Sequence, residues 1–307
     1  MKALVTGATG LMGTALVAAL RAGGDEVIAL DSQHADLRDA ATTDALFARH
    51  RPEIVYHLAA RVRGIMGNAG SQGDAFLDNI RINTNTVDAA RRAGVRKLVA
   101  MGSAAIYADG LSLPMREDDA WAGAPHRSEA GYAHAKRAML TQLEAYREQW
   151  GLDYAYCIST NLFGPGDRFD ERHGHVIPSL ISKFHRAIVT GEPVTVWGSG
   201  TPTRDFLYVA DAAAALRQIG DRVGSDKPGQ RAGSVDSRDR GVDRRDRRLP
   251  ARDPVGREQA GRAAAPGLRR LAATRARRIA GADASRWAGG DIRLVRCSRD
   301  RSTALTG

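Results

Sequence analysis

Tyr132 and Lys136 stand four residues apart in the stretch Tyr132-Ala133-His134-Ala135-Lys136, the spacing that places two side chains on one face of a helix. An ammonium beside a phenol stabilises the phenolate and is expected to lower its pKa from about 10, so that the group exchanges protons near neutrality. Ser103 follows the apolar run Lys97–Met101. If that run is a parallel strand, its carboxyl end faces a ligand crevice. Ser103 is then placed to hydrogen-bond a substrate oxygen while Tyr132 donates or accepts its proton. Such a Tyr/Lys pair alone is common on solvated helices, and it gains weight from a second feature upstream. Val5-Thr6-Gly7-Ala8-Thr9-Gly10-Leu11-Met12-Gly13 spaces three glycines as G-x-x-G-x-x-G where an apolar strand gives way to a helical segment. The first glycine permits a tight turn, the second lets the backbone approach a pyrophosphate, and the third lets helix and strand pack closely. The helix N-terminus adds free N–H groups and partial positive charge for the phosphates. Gly7, Thr9, Gly10, Leu11, Met12 and Gly13 are therefore expected to bind a dinucleotide. Asp31, after the second strand, is placed for the adenosine ribose hydroxyls; a carboxylate there disfavours a 2′-phosphate, so NAD is preferred over NADP. Asp36 and Leu37 would flank the adenine.

The elements that must position these residues alternate over residues 1–220. Strands are expected at Lys2–Thr6, Glu26–Leu30, Ile54–Leu58, Lys97–Met101 and Tyr154–Ser159, and helices at Leu11–Ala22, Thr42–His50, Phe76–Ala93 and Ala130–Gln149. Gly191-Glu192-Pro193 marks a turn between a further helix and a short strand, Val194–Trp197. This is the pattern of an α/β fold, a Rossmann-type doubly wound parallel sheet. Residues 1–165 read as the dinucleotide-binding domain and 166–220 as the start of a smaller, incomplete substrate lobe. The chain opens directly into a strand, so no secretory leader is expected; no apolar run approaches the roughly 18 residues of a membrane span, and Cys157 and Cys297 suggest neither a disulfide framework nor a metal cluster. A cytoplasmic protein without a metal or a membrane partner is expected.

Beyond these motifs the text of residues 1–220 resembles the extended short-chain dehydrogenase/reductases that act on nucleotide sugars, in the NAD-dependent epimerase/dehydratase family. Within it the likeness is to the epimerase-reductases of GDP-4-keto-6-deoxymannose. The matching segments are His57-Leu58-Ala59-Ala60 with Arg61–Ile65, Gly102-Ser103, Ile106-Tyr107, Tyr132 with Lys136, Thr160–Pro165, His175-Val176-Ile177-Pro178, Trp197–Pro202 and Arg204–Leu207. The resemblance implies that Leu58, Ala59 and Ala60 lie along the cofactor with Asn79 nearby, and that Tyr132 and Lys136 also touch it. It implies substrate contacts from Ser103, Asn161, Lys183, Trp197 and Arg204, with Lys183 in place of an arginine; a solvated helix charge is the other reading of Lys183. His175 matches the family's acid/base histidine or is a packed histidine. Ala105 stands where the family has a cysteine that moves protons at the carbons flanking the ketone. Alanine moves no proton, so 4-keto reduction is expected rather than the full epimerase-reductase sequence, with a 4-epimerase or a catalytically impaired cofactor-binding protein as the alternatives. The family commonly uses NADP, against the reading of Asp31, and commonly forms dimers through helices of the cofactor domain.

Charge divides the chain near residue 221. Residues 1–220 carry 23 basic and 24 acidic side chains, whereas residues 221–307 carry 22 and 11, nearly all the basic ones arginine. A basic arm for nucleic acid is one reading; a change of reading frame near residues 221–231 is the preferred one, and it leaves no nucleic-acid partner. Back-translated with freely chosen synonymous codons and shifted by one base, Arg257–Ala264 becomes E-N-K-P-D-G-Q-P and Asp291–Cys297 becomes T-Y-D-W-F-A-A, two segments resembling the family's, in the family's order. Read as it stands, the tail has too little apolar area to pack well and is expected to be poorly ordered. Sequencing the coding DNA around codons 215–235 is expected to reveal the frame change; a +1 frame lacking both segments overturns it.

Overall fold

Three of the five apolar runs expected as strands have almost every residue buried, as parallel strands covered on both faces require. The computed structural model describes residues 1–62, 70–171, 174–196 and 204–221. In it, β1 (Lys2–Thr6), β2 (Glu26–Leu30), β3 (Ile54–His57), β4 (Lys97–Met101) and β5 (Tyr154–Cys157) form a parallel sheet in the order β2-β1-β3-β4-β5. The two edge strands, β2 and β5, are the partly exposed exceptions. The register pairs Thr6 with Leu30 and with His57, His57 with Ala100, and Met101 with Cys157. The carboxyl ends of the strands therefore emerge on one rim, where the chain continues into Gly7, Asp31, Leu58, Gly102 and Ile158.

Helices cover both faces. On one side lie α1 (Leu11–Ala22) and α6 (Val209–Asp221), whose Leu16, Leu20, Val209, Ala212 and Leu216 pack on Ala3, Val5, Ile54 and Tyr56. On the other lie α2 (Ala40–His50), α3 (Gln72–Arg92) and α4 (Ala130–Trp150), where Phe47, Val87, Met139 and Leu143 meet Leu4, Val55, Leu98 and Ala100. Gly131, in the first turn of α4, leaves no room for a side chain: a Cβ there would lie 2.2 Å from the Gln72 carbonyl oxygen. α3 and α4 thus approach closely at the end that carries Tyr132. A second ladder pairs β6 (Asn161–Phe163) with β7 (Phe206–Tyr208) in parallel, and α5 (Val176–Thr190) lies between them in sequence.

The expected doubly wound sheet is present, with differences at the margins. The fifth strand stops at Cys157 rather than Ser159, and α3 starts at Gln72 rather than Phe76, because Gly73 sits inside the helix instead of ending the loop before it. Residues Val194–Val196 form no strand; no described strand lies beside them to provide a ladder. β6 and β7 were not expected, since three residues are too few to show a period of two. Trp197, Arg63–Ile65 and residues 222–307, including the segment read as frameshifted, lie outside the described residues. Among the described residues no helix is long and apolar enough to cross a membrane, and no three His, Cys, Asp or Glu side chains cluster as metal ligands.

Leu143 of α4 is fully buried in the core that holds this helix against the sheet. Leu143→Ala is expected to destabilise the fold by about 2–5 kcal/mol, read as a lower denaturation midpoint with an unchanged slope.

Candidate active site

The turn between β1 and α1 is shaped by what cannot fit there. Gly7 has φ +68°, and a Cβ on it would lie 2.9 Å from the backbone of Ala59; a Cβ on Gly13 would lie 2.1 Å from the Gly7 carbonyl oxygen. Those two glycines are required by the protein's own packing. Gly10 is different, since its nearest neighbour would be 3.4 Å away and its open side faces the start of α1. No side chain caps that helix and no acidic residue occupies its first turn, which leaves its leading N–H groups for a phosphate. The residues present thus fit a dinucleotide pyrophosphate. Met12 is buried and Leu11 packs against the core, so either would serve through its backbone.

Along the rim, Asp31 closes its own turn. Its Oδ1 accepts from the N–H groups of Gln33 (2.9 Å) and His34 (3.3 Å) and lies 2.7 Å from His34 Nδ1. The His34 contact, then the Gln33 amide, holds the carboxyl below its usual range. Asp31 and His34 line an open groove of about 570 Å³ that runs from Thr9 along α1 to Arg21. Asp36 is gripped by Arg38 through its Nε (2.9 Å) and Nη2 (2.8 Å), and that contact pulls its carboxyl down to about 2. Arg38 also reaches Asp78 on α3, which in turn pairs with Arg61. Leu37 is buried, and its carbonyl accepts from Asn85 at 2.9 Å. Asn79 is fully buried; it accepts from the Arg61 N–H at 2.9 Å and donates to the carbonyls of Arg61 (3.0 Å) and Ala75 (2.7 Å). Its amide holds the Leu58–Arg61 turn to α3.

At the end of β4, Ser103 accepts from the Ala105 N–H at 3.2 Å, and its side chain acts to lower the pKa of the buried Tyr132 phenol. Lys136 lies behind that pair, almost completely buried, donating to the Met101 carbonyl at 2.8 Å with its Nζ 5.8 Å from the centre of the Tyr132 ring. Burial of its ammonium lowers Lys136 to about 8. The expected depression of Tyr132 is not found: burial outweighs the effect of Ser103 and pushes the phenol up to about 12. Tyr132 is therefore a protonated donor at neutral pH. Three further groups hold this arrangement. Tyr156 donates to the Lys136 carbonyl at 3.1 Å, Gly102 makes way for the Tyr156 ring, and the buried Arg137 donates to the carbonyls of Ile106 and Gly123. Tyr156 and Arg137 were not singled out in the sequence, where each is only a polar group in an otherwise apolar segment.

The strand-end contacts carry the site towards β6. Gly102 and Ala104 donate to the carbonyls of Cys157 (2.8 Å) and Ser159 (2.9 Å), so Ser103 stands beside the segment that leads to Asn161. The Asn161 amide donates to the Asp205 carbonyl at 3.0 Å, which brings Asn161 and Arg204 together. His175 is the N-cap of α5, largely exposed, with Nδ1 3.8 Å from Asp167; it is not a packed histidine. Lys183 is buried rather than solvated, and donates to the Thr195 carbonyl at 3.1 Å.

Comparison with known proteins identifies the family. A family model described as the NAD dependent epimerase/dehydratase family matches residues 3–231. The chain is 37% identical over 213 residues to a GDP-L-fucose synthase of Sinorhizobium fredii, covering 69% of this chain and 68% of that protein. It is 38% identical over 216 residues to a GDP-L-fucose synthase of Escherichia coli, covering 70% and 67%. The crystal structure of a GDP-L-fucose synthetase from Naegleria fowleri bound to NADP superposes with a TM-score of 0.66 at 35% identity, over 71% of this chain and 72% of that one.

The buried Lys136 generates a stability prediction. Its folded-state pKa of about 8 lies below the ordinary 10.5, so burying the charged form opposes folding at pH 7, and that opposition is relieved as pH rises from about 8 to above 10. Lys136→Met is expected to be more stable relative to the parent at pH 7 than at pH 10, the gap changing by about 3 kcal/mol. Urea denaturation across that range checks it; a pH-independent gap is the contrary result.

Proposed function

The chain belongs to the NAD dependent epimerase/dehydratase family, and we propose that it is an NAD(P)-dependent reductase of a nucleotide-linked keto sugar, with a GDP-4-keto-6-deoxyhexose as substrate. The observation that carries this reading is the buried Tyr132, with the enclosed Lys136 ammonium 5.8 Å from its ring and Ser103 at the end of β4, on the same sheet rim as the glycine turn. The relatives named GDP-L-fucose synthase supply the substrate class. Nicotinamide supplies hydride when bound. Ser103 holds the sugar's C4 oxygen, Tyr132 gives it a proton, and Lys136 keeps positive charge beside the exchange. A phenol raised to about 12 by burial suits this direction, since it arrives protonated.

In the same reading residues 1–165 bind the cofactor through the glycine turn, Asp31, Asp36, Leu37 and Leu58–Ala60. Residues 166–220 begin the lobe that contacts the substrate, with Asn161 before it, His175, Lys183, Trp197 and Arg204 as contributors. C3/C5 epimerisation is left out because Ala105 offers no proton-moving group. Asp31 favours NAD, although Arg21 lines the same groove and the Naegleria fowleri protein was crystallised with NADP. A homodimer in the cytoplasm completes the proposal.

Incubation with GDP-4-keto-6-deoxymannose is expected to oxidise NADH or NADPH stoichiometrically, with the larger kcat/KM for NADH. Tyr132→Phe is expected to lower kcat by about 10²–10⁴-fold while cofactor still binds. Sugar interconversion without net cofactor oxidation would instead identify a 4-epimerase, and cofactor binding without turnover a catalytically impaired protein.

A further inference from the structure

Beneath the Ser103–Tyr132 pair, buried polar groups from four elements form one hydrogen-bonded chain. Thr6 Oγ1 accepts from the N–H groups of Leu58 (3.2 Å) and Ala59 (3.1 Å) and lies 2.9 Å from His57 Nδ1. With its acceptor capacity taken by two amides, the hydroxyl has its own proton left for the imidazole, so Nδ1 is an acceptor. The proton of the neutral ring is then on Nε2, which lies 3.1 Å from Asn83 Oδ1. Asn83 uses its Nδ2 to donate to the Ala135 carbonyl at 3.2 Å. Each link has one direction, and no member is left unpaired. Thr6, His57 and Asn83 are all buried. Burial first, and then the charge of Lys136, pushes His57 down to about 3, so the ring is neutral throughout the working range.

The ends of this chain give it meaning. Thr6 precedes Gly7, the amides of Leu58 and Ala59 belong to the turn that meets Gly7, and Ala135 lies between Tyr132 and Lys136 on α4. A helix carbonyl already accepts a bond from within its own helix, so the Asn83 bond to Ala135 is not needed to form α4. It ties the helix, at the residue beside Lys136, to the two strand ends that carry the cofactor loops. We propose that His57 and Asn83 are positioning residues that set Tyr132 and Lys136 relative to the cofactor turn, through the neutral Nε2–H form of His57. The significance of that placement rests on the reading of Tyr132 as the proton donor.

The full chain tests this in two ways. With ¹⁵N-histidine labelling, His57 is expected to show a neutral Nε2–H ring that does not titrate between about pH 5 and pH 8. A wild-type ring in the Nδ1–H form, or one that titrates in that range, overturns the proposal. Asn83→Asp keeps the size and the acceptor for His57, removes the donor to Ala135 and sets a carboxylate beside the ring. In it, His57 is expected to take up a second proton. With ¹³C-lysine labelling, the Lys136 titration is expected to shift in both Asn83→Asp and Asn83→Leu. An unmoved Lys136 titration in two folded variants overturns the link to α4. In single turnovers with the keto sugar, both variants are expected to lose about ten- to a hundredfold in hydride-transfer rate, with NADPH affinity changed by less than about threefold. Equal falls in rate and affinity, or no fall in rate, count against positioning. If the parent itself fails to reduce the keto sugar, the reductase reading falls, and the two resonance measurements alone decide the relay.

Discussion

The close approach of Gly7 to the Leu58–Ala59 turn is the constraint on which the site depends. The first residue after β1 has room for no side chain, because the backbone after β3 occupies that space. β1 and β3 are hydrogen-bonded neighbours in register to their last residues, Thr6 and His57, so both loops leave the sheet at the same height. The Thr6 hydroxyl then takes two amides of the neighbouring turn. The start of α1 and the turn after β3 are thereby tied together at the rim. β4, next in the sheet, brings Ser103 out on the same rim, and the close packing of α3 and α4 brings Tyr132 to it.

Burial decides the electrostatics of that rim. Lys136 is enclosed with a carbonyl partner, so its ammonium gives up its proton more readily; Tyr132 is enclosed too, so its phenol becomes a weaker acid that keeps its proton. The simple argument that a nearby cation lowers a phenol's pKa assumes that both groups remain solvated. Here desolvation acts on each of them and is the larger effect. His57 follows the same rule: a histidine expected only as part of a turn is held neutral by burial and used for its two different nitrogens. These side chains act as fixed donors and acceptors, and in the proposed reading Tyr132 is the one that hands over a proton.

The substrate side is built more loosely. Asn161 pairs with Phe206 in the short β6–β7 ladder and donates to the Asp205 carbonyl, while His175 stands exposed at the start of α5 and Lys183 is drawn inward to the Thr195 carbonyl. A buried lysine that donates to backbone has less freedom to meet a phosphate than the solvated or substrate-facing lysine its sequence position allowed. Its contribution to this lobe is first to hold the segment after α5 in place.

By itself the sequence determined the α/β class, the strand order's carboxyl-end rim, the glycine turn and the Ser103/Tyr132/Lys136 set, because each of these is written in local spacing: glycines three apart, a phenol and an amine one helical turn apart, apolar runs between helical segments. It also contained the change of character near residue 221. Only the tertiary structure decided what depends on enclosure and on partners distant in the chain. Desolvation reversed the expected shift of Tyr132, Asn79 was bonded to the Leu58–Arg61 turn, and the three-residue strands β6 and β7 formed because residues some forty positions apart met in register. The Thr6–His57–Asn83–Ala135 chain was equally illegible, since nothing in the spacing of those four residues reports that their polar atoms converge. Local geometry follows from the order of residues, whereas the charge state and hydrogen-bond partner of a buried group follow from what the fold removes from water.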